Sequence, residues 1–286
     1  MTLKLEQTLS IAAWLAALAP TFRQYGVAPP AALESPYRSF REDDGMLAAL
    51  VDAAPRVISF HFGIPARQRL DALRATGALL LASATSLAEG RAAEAAGMDG
   101  VIAQGHEAGG HRGVFDPSAP DEQLGTIALT RMLVRRLNIP VIAAGGIMDG
   151  AGIAAVLRLG AVAAQLGTAF VACPESAASP AYRAALLAGD DVHTVMTAGI
   201  SGRSARCLVN RFTALASELT ATPPDYPIAY HAGKALHAAA SARGEHGFGA
   251  QWAGQGAPLA RGLPAAELVA TLRRELEAAE SSLVGG

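Results

Sequence analysis

Five short runs of mostly apolar residues recur through the middle of the chain. Their apolar positions are continuous rather than alternating, which indicates strands that are buried on both faces of a parallel sheet. The runs are Arg56–Gly63, Ala78–Thr85, Gly100–Gly105, Pro140–Gly146 and Ala163–Phe170.

Helical patterns follow four of these runs. They lie at Pro65–Thr76, Leu87–Ala96, Thr126–Leu137 and Ala151–Leu159, and Ser86 is in place to cap the second of them. Strand–helix units of this length are typical of an α/β fold, either a TIM-type βα barrel or a doubly wound sheet. We therefore expect five adjacent parallel strands in sequence order, with the helices outside them.

The two ends of the chain show helical rather than strand patterns. Leu3–Tyr25 predicts one helix, Ala31–Gly45 a polar connector, and the tail from Pro174 onward a mostly helical segment that ends with a helix over Pro264–Leu283. The pattern predicts three parts: an N-terminal helix and connector at 1–45, a βα-barrel portion at 46–175, and a mostly helical segment at 176–286 that closes the barrel.

The composition favours a globular enzyme. The chain has 286 residues, of which 51% are hydrophobic and 17% charged, and this length is ordinary for one α/β barrel. A net charge of −2 gives no electrostatic basis for binding nucleic acid or an anionic membrane. Two cysteines, Cys173 and Cys207, are too few for a disulfide framework or a metal cluster. We expect a cytoplasmic enzyme without nucleic-acid or membrane partners; the oligomeric state stays open.

The segment Gln104–Gly113 is the sharpest candidate site. It begins where a predicted strand ends, which is where βα-barrel enzymes keep their catalytic residues. Its four glycines allow the backbone to approach a ligand closely, and His111 can act as a base near neutral pH. The alternatives are a solvent-exposed loop with incidental histidines and a zinc site. The helical zinc motif spaces its histidines four residues apart, whereas His106 and His111 are five apart.

Two glycine turns predict a phosphate site. Gly145 and Gly146 end the fourth predicted strand, and the run Gln165, Leu166, Gly167 and Thr168 lies in the fifth. Exposed N–H groups at the ends of the last two strands of a barrel commonly bind phosphate. Each turn alone can equally be a simple tight turn, but the ordered pair is more specific.

Three weaker candidates remain. His61 lies near the C-terminal end of the first predicted strand and faces either the mouth of the barrel or the core. Ser201–Arg206 contains two arginines, for which salt-bridged structural roles are the first interpretation. Trp252 either covers the site or packs.

In this order, the motifs resemble those of the nitronate monooxygenases, once called 2-nitropropane dioxygenases. They are Ser59–Gly63, Ala84–Ser86, Gln104–Gly113, Ala143–Ile147, Gln165–Phe170 and Ser201–Arg206, and the resemblance runs from about Leu9 to the C-terminal helix. The resemblance implies a βα barrel that holds FMN, with a nitronate or nitroalkane and O₂ as substrates. It implies that His111 is the active-site histidine and that FMN contacts Gln104, Gly109, Gly146 and the run Gln165–Thr168.

The resemblance also implies three earlier strand–helix units, beginning with Gln-Ala-Pro-Met, that nothing in this chain matches. The five predicted strands would then be the fourth to eighth of a barrel, and we expect FMN to bind less tightly than with all eight. Two alternatives follow: an FMN-dependent enoyl-acyl-carrier-protein reductase, which has a similar Ala-Gly-Gly-His loop, and an inactive family member.

Overall fold

A computed structural model describes the backbone of residues 2–282 and the side chains of residues 8–281. The strands are β1 (Val57–Phe60), β2 (Leu79–Ala84), β3 (Gly100–Gln104), β4 (Gly110–His111), β5 (Val141–Ala144), β6 (Ala163–Gln165), β7 (Thr194–Thr197) and β8 (Ala205–Leu208). The helices are α1 (Thr2–Gln24), α2 (Asp44–Ala53), α3 (Arg67–Arg74), α4 (Leu87–Ala95), α5 (Thr126–Arg136), α6 (Gly150–Arg158), α7 (Thr168–Val171), α8 (Pro180–Leu186), α9 (Arg211–Glu218), α10 (Ile228–Ser241) and α11 (Ala265–Ser282), with a 3₁₀ turn at Ala257–Leu259. Leu283, the predicted end of the last helix, lies outside the described residues.

The five predicted strands form one parallel sheet in the order β1-β2-β3-β5-β6. This arrangement confirms the prediction of adjacent parallel strands in sequence order. It is a five-stranded part of a TIM-type barrel, and within the described residues β1 and β6 are its edges. Because all five strands run the same way, their carboxyl ends lie along one edge, and the candidate site residues follow those ends.

The main core fills the space between this sheet and α3, α4 and α5. Leu80 and Val101 on the strands and Leu73, Leu129 and Leu133 on the helices are fully buried there. As predicted, Ser86 caps α4: its hydroxyl accepts a hydrogen bond from the N–H of Glu89 at 3.2 Å. Burial of apolar side chains between two layers is the main favourable term in folding. Packing of the sheet against α3, α4 and α5 therefore holds the five strands in place.

A second, antiparallel sheet was not predicted. It has the order β4-β8-β7 and joins the loop after β3 to the tail of the chain. The prediction of a mostly helical tail therefore missed β7 and β8, which have four residues each and pair only with residues distant in sequence or with each other. The division into three parts stays a prediction.

Two further details differ from the prediction. The run Ala163–Phe170 is a strand only as far as Gln165, because the backbone turns at Gly167 and continues as α7. The polar connector ends in an additional helix, α2, whose N-cap Asp43 accepts a hydrogen bond from Met46 N–H at 3.0 Å.

The ends of the described chain pack on the second sheet and on α6. Trp14, Leu18 and Phe22 of α1 are buried against α10, and α11 packs along α6. Among the helices of residues 2–282, none is both long and apolar enough to cross a membrane.

Adjacent leucines of β2 provide a test of the two-layer core. Leu80 is 0% exposed and Leu79 is 53% exposed. We expect Leu80→Ala to lower the free energy of unfolding by about 2–5 kcal/mol, because it leaves a cavity between the sheet and the helices. Leu79→Ala is the matched control and should cost under about 1 kcal/mol. Urea unfolding of both variants measures the difference, and equal losses would contradict the assignment of the buried face.

Candidate active site

Gln104, the last residue of β3, fastens the glycine loop to the sheet. Its side-chain amide is buried, donates from Nε2 to the carbonyl of His111 at 2.9 Å, and accepts the N–H of Gly113 on Oε1 at 2.7 Å. Both ends of the amide are therefore satisfied by the loop. The loop leaves β3 and returns to it within nine residues.

Arg112, which belongs to the same loop, attaches it to the end of β3 and to Asp121. Its side chain is 1% exposed, donates to the carbonyl of Gln104 at 2.8 Å, and forms two hydrogen bonds to the carboxylate of Asp121 at 2.8 and 2.9 Å. A buried guanidinium is tolerated only when its charge and its donors are matched. Arg112 is therefore a structural partner of the loop, and its carboxylate partner was not found from the sequence.

His111 lies in β4, where its backbone is paired with Ala205 of β8. Its Nε2 lies 2.8 Å from the hydroxyl of Ser201, and the same hydroxyl lies 3.2 Å from the carbonyl of Arg203. Burial, followed by the charges of His61 and Arg203, lowers the pKa of His111 to about 4. His111 is therefore neutral at physiological pH.

Seven of the nine predicted site residues border one cavity of about 290 Å³, which we call the glycine cavity. The seven are Gln104, Gly109, Gly145, Gly146, Gln165, Gly167 and Thr168. His111 and Leu166 do not line it; Leu166 packs into two apolar clusters instead. His61, Ser83 and Trp252 also border the cavity. It thus lies at the carboxyl ends of the five parallel strands.

The two glycine turns contribute to this cavity in different ways. Gly145 and Gly146 have φ angles of +120° and +70°, a region that glycine adopts far more readily than other residues. The hydroxyl of Thr126 donates to the carbonyl of Gly145 at 2.9 Å and steadies the turn. Gly167 has an ordinary φ of −111°, and a Cβ there would meet nothing within 4 Å. A side chain at position 167 would therefore project into open space.

Two backbone donors of the glycine cavity are unpaired. Within residues 2–282, no hydrogen bond uses the N–H groups of Gly146 and Gly167. The hydroxyl of Thr168 accepts from Gly254 N–H at 2.9 Å, which leaves its own proton available. No lysine or arginine is among the described residues that line the cavity. An anion bound here would depend on backbone N–H groups and one hydroxyl.

A larger cavity of about 670 Å³, which we call the outer cavity, lies on the other side of His61. Its lining includes Phe62, Phe115, Arg203 and Tyr226, and His61 borders both cavities. His61 donates from Nε2 to the carbonyl of His111 at 3.0 Å, because a carbonyl can only accept.

His111 lines neither cavity, but its ring lies against one residue of each. The centroid of its ring is 4.9 Å from that of Trp252, which borders the glycine cavity, and 5.0 Å from that of Tyr226, which borders the outer cavity. Two interpretations had been left open. Trp252 packs against His111 and also borders the glycine cavity, and His61 faces the two cavities rather than the core. Arg203 and Arg206 form no salt bridge within the described residues, which contradicts the salt-bridged interpretation. Arg206 instead donates to the carbonyl of His106 at 3.0 Å.

Sequence analysis missed several residues around His111. Phe62, Tyr226 and Asp121 are ordinary in their local patterns, and only the fold brings them to the site. Ser201 did carry a signal, since it opens a segment of small residues and arginines that had already been singled out.

The nitronate monooxygenase family matches residues 21–275 of the chain. The nitronate monooxygenase of Paraburkholderia phytofirmans is 59% identical over 92% of this chain and 72% of its own length. The nitronate monooxygenase of Pseudomonas aeruginosa is 54% identical over 92% of this chain and 76% of its own length. A solved structure of nitroalkane oxidase from Streptomyces ansochromogenes superposes with a TM-score of 0.86 at 42% identity, over 96% of this chain and 78% of that one. A solved structure of FabK from Thermotoga maritima superposes with a TM-score of 0.70 at 26% identity, over 96% of this chain and 92% of that one. The chain belongs to the nitronate monooxygenase family.

Proposed function

We propose that the chain is an FMN-dependent nitronate monooxygenase, which oxidises alkyl nitronates with O₂ to carbonyl compounds and nitrite. The observation that carries this proposal is the contact of the His111 ring with Trp252, which borders a cavity with unpaired backbone donors, and with Tyr226, which borders a second cavity large enough for a substrate. The names of the two bacterial relatives and of the nitroalkane oxidase support the same substrate class.

The glycine cavity fits the phosphate end of FMN. The unpaired N–H groups of Gly146 and Gly167 and the hydroxyl of Thr168 are donors of the kind that bind phosphate. Gly167 leaves room that any side chain would fill. Gln104 and Ser83 border the same cavity and supply polar groups for the rest of the cofactor.

His111 has one nitrogen free for substrate. If the Ser201 hydroxyl donates to the carbonyl of Arg203, His111 donates Nε2–H to that hydroxyl, and Nδ1 carries the lone pair. Within the described residues Nδ1 has no hydrogen-bond partner and is not a buried unsatisfied atom. If the Ser201 hydroxyl instead donates its proton to Nε2, then Nε2 carries the lone pair and the single N–H of the neutral imidazole lies on Nδ1. His111 can thus accept the α-proton of a neutral nitroalkane or donate a hydrogen bond to a nitro oxygen.

The chemistry that FMN supplies when bound is oxidation of the nitronate and reduction of O₂. The part of the chain is to position the substrate and to limit water near His111. The aromatic rings of Trp252, Tyr226 and Phe62 surround the imidazole on three sides with centroid separations of 4.9 to 5.8 Å. This apolar surround lowers the pKa of His111, so that an anionic nitronate meets a neutral ring at physiological pH.

The enoyl reductase alternative predicts NADH-dependent reduction of an enoyl thioester and no turnover of nitronates. An inactive family member predicts neither activity. A nitronate assay with oxygen-uptake detection, run beside an enoyl assay, separates the three. A cytoplasmic location stays a prediction.

Gly167→Asp tests the phosphate site. A carboxylate there has room and an ordinary backbone, so its repulsion of a phosphate is the main effect, whereas Gly146→Asp would also strain the backbone at φ +70°. We expect at least about a tenfold weaker Kd for FMN and a smaller change for riboflavin, which has no phosphate. Gly45→Asp, in the exposed helix α2, is the control. Equal FMN affinity in the three proteins would place the phosphate elsewhere.

His111→Asn separates the two roles of the histidine. A pre-formed nitronate has already lost its α-proton, so a base role predicts about a 10²–10⁴-fold loss with neutral nitroalkanes and a much smaller loss with nitronates. A hydrogen-bonding role predicts similar losses with both. Steady-state kinetics with paired nitroalkane and nitronate substrates gives the answer. His106→Asn is the control, since within the described residues the ring contacts with Phe62, Tyr226 and Trp252 are made by His111 and not by His106. Activity abolished by the control and retained by His111→Asn would show that the wrong histidine was chosen.

The lowered pKa of His111 also predicts a pH dependence of stability. The folded pKa is about 4 and the ordinary value is 6.5, so the unfolded chain takes up the proton first as the pH falls. Wild type should therefore lose up to about 3 kcal/mol more unfolding free energy than His111→Asn between pH 7 and pH 4. Urea unfolding at several pH values measures the difference. Parallel curves for the two proteins would rule out a buried, neutral His111.

A further inference from the structure

Phe62, two residues after the end of β1, has a backbone conformation that is unusual for its type. Its φ angle is +69°, in the left-handed region that a bulky side chain rarely adopts. Residues held there store strain, and such positions cluster at functional sites. The following residue, Gly63, has a φ of +102°, so the backbone is turned away from the strand direction at two successive positions.

The strained backbone places the ring of Phe62 in a cluster of polar and aromatic groups. The guanidinium carbon of Arg203 lies 3.9 Å from the centroid of the ring, close enough for a cation–π interaction. The rings of His61 and Tyr226 lie at 4.5 and 5.4 Å. The ring of His111 lies at 5.8 Å, with an angle of 85° between the two ring planes.

These contacts place Phe62 at the inner end of the outer cavity. The ring borders that cavity and lies against the ring of His111. Tyr226 borders the same cavity and also touches His111. A substrate group that reaches His111 from the outer cavity must therefore pass beside these two rings. Arg203 braces the Phe62 ring from one face and donates to the carbonyl of Val114.

We propose that Phe62 is a specificity-determining residue, whose ring limits the bulk of the substrate group that the outer cavity can bring to His111. This inference rests on the proposed nitronate oxidation. The strained φ fixes the position of the ring, and the cation–π contact prevents it from swinging aside, so the limit is rigid. A rigid apolar wall discriminates by roughly 10- to 200-fold for each methylene that it excludes.

The chain offers a matched control for this residue. Phe115 borders the same outer cavity, and within the described residues its ring makes no contact with the ring of His111. Phe115→Ala therefore enlarges the cavity away from the histidine by the same number of atoms. Phe62→Gly adds a second comparison, because glycine adopts the φ of +69° without strain whereas alanine does not.

The test compares kcat/KM for the nitronates of nitroethane and of phenylnitromethane in FMN-loaded wild type, Phe62→Ala, Phe62→Gly and Phe115→Ala. We expect the ratio of phenyl to ethyl substrate to rise at least about tenfold in both Phe62 variants and to stay within about twofold in Phe115→Ala. General damage to the site would lower kcat/KM for both substrates alike and leave the ratio unchanged. Phe62→Gly should melt about 2–4 °C above Phe62→Ala if the backbone is strained.

Several outcomes would overturn the inference. An unchanged ratio in the Phe62 variants, or an equal rise in Phe115→Ala, would remove Phe62 as the limiting wall while leaving nitronate oxidation intact. A Phe62→Gly variant that melts no higher than Phe62→Ala would remove the strain that fixes the ring. Absence of nitronate turnover in wild type would instead reject the proposed function, and this inference with it.

Discussion

The site depends on one buried amide. Gln104 ends a strand of the main sheet, and its side chain must satisfy both a donor and an acceptor without water. The loop supplies both partners, the carbonyl of His111 and the N–H of Gly113. A buried amide with one unmatched end costs about 1–3 kcal/mol, so the loop is held in the conformation that matches it. Arg112 adds a second attachment through Asp121 and the carbonyl of Gln104.

This attachment explains why the ring of His111 contacts residues of both cavities. The loop is folded back over the end of β3 and then pairs with β8, which brings Ser201 and Trp252 to the imidazole from segments about 90 and 140 residues further along the chain. The glycine turns of the neighbouring strand ends lie on one side, and Phe62 with Arg203 lies on the other. The glycine turns thus follow strands of the parallel sheet, whereas His111 itself lies in the antiparallel sheet.

The sequence was sufficient for the features that depend on local pattern. Continuous apolar runs predicted the five parallel strands, and the order of glycine turns placed Gly145, Gly146, Gly167 and Thr168 at one cavity. It was not sufficient for the second sheet, because β4 has only two residues and its pairing with β8 spans about 95 positions. Leu166 shows a different limit: its neighbours border the cavity, but alternation along an extended segment turns its side chain into the apolar clusters. Phe62 lay within the motif Ser59–Gly63, but its positive φ and its contacts with Arg203 and Tyr226 had no local signal.

The proposed function requires the glycine cavity to hold the phosphate of FMN and His111 to adjoin the reactive end of the same cofactor. A crystal structure of the full chain grown with FMN tests this most directly. We expect the phosphate within hydrogen-bonding distance of the N–H groups of Gly146 and Gly167, with the ring system directed towards Gln104 and His111. A phosphate bound away from both glycines, or a ring system directed away from His111, would contradict it.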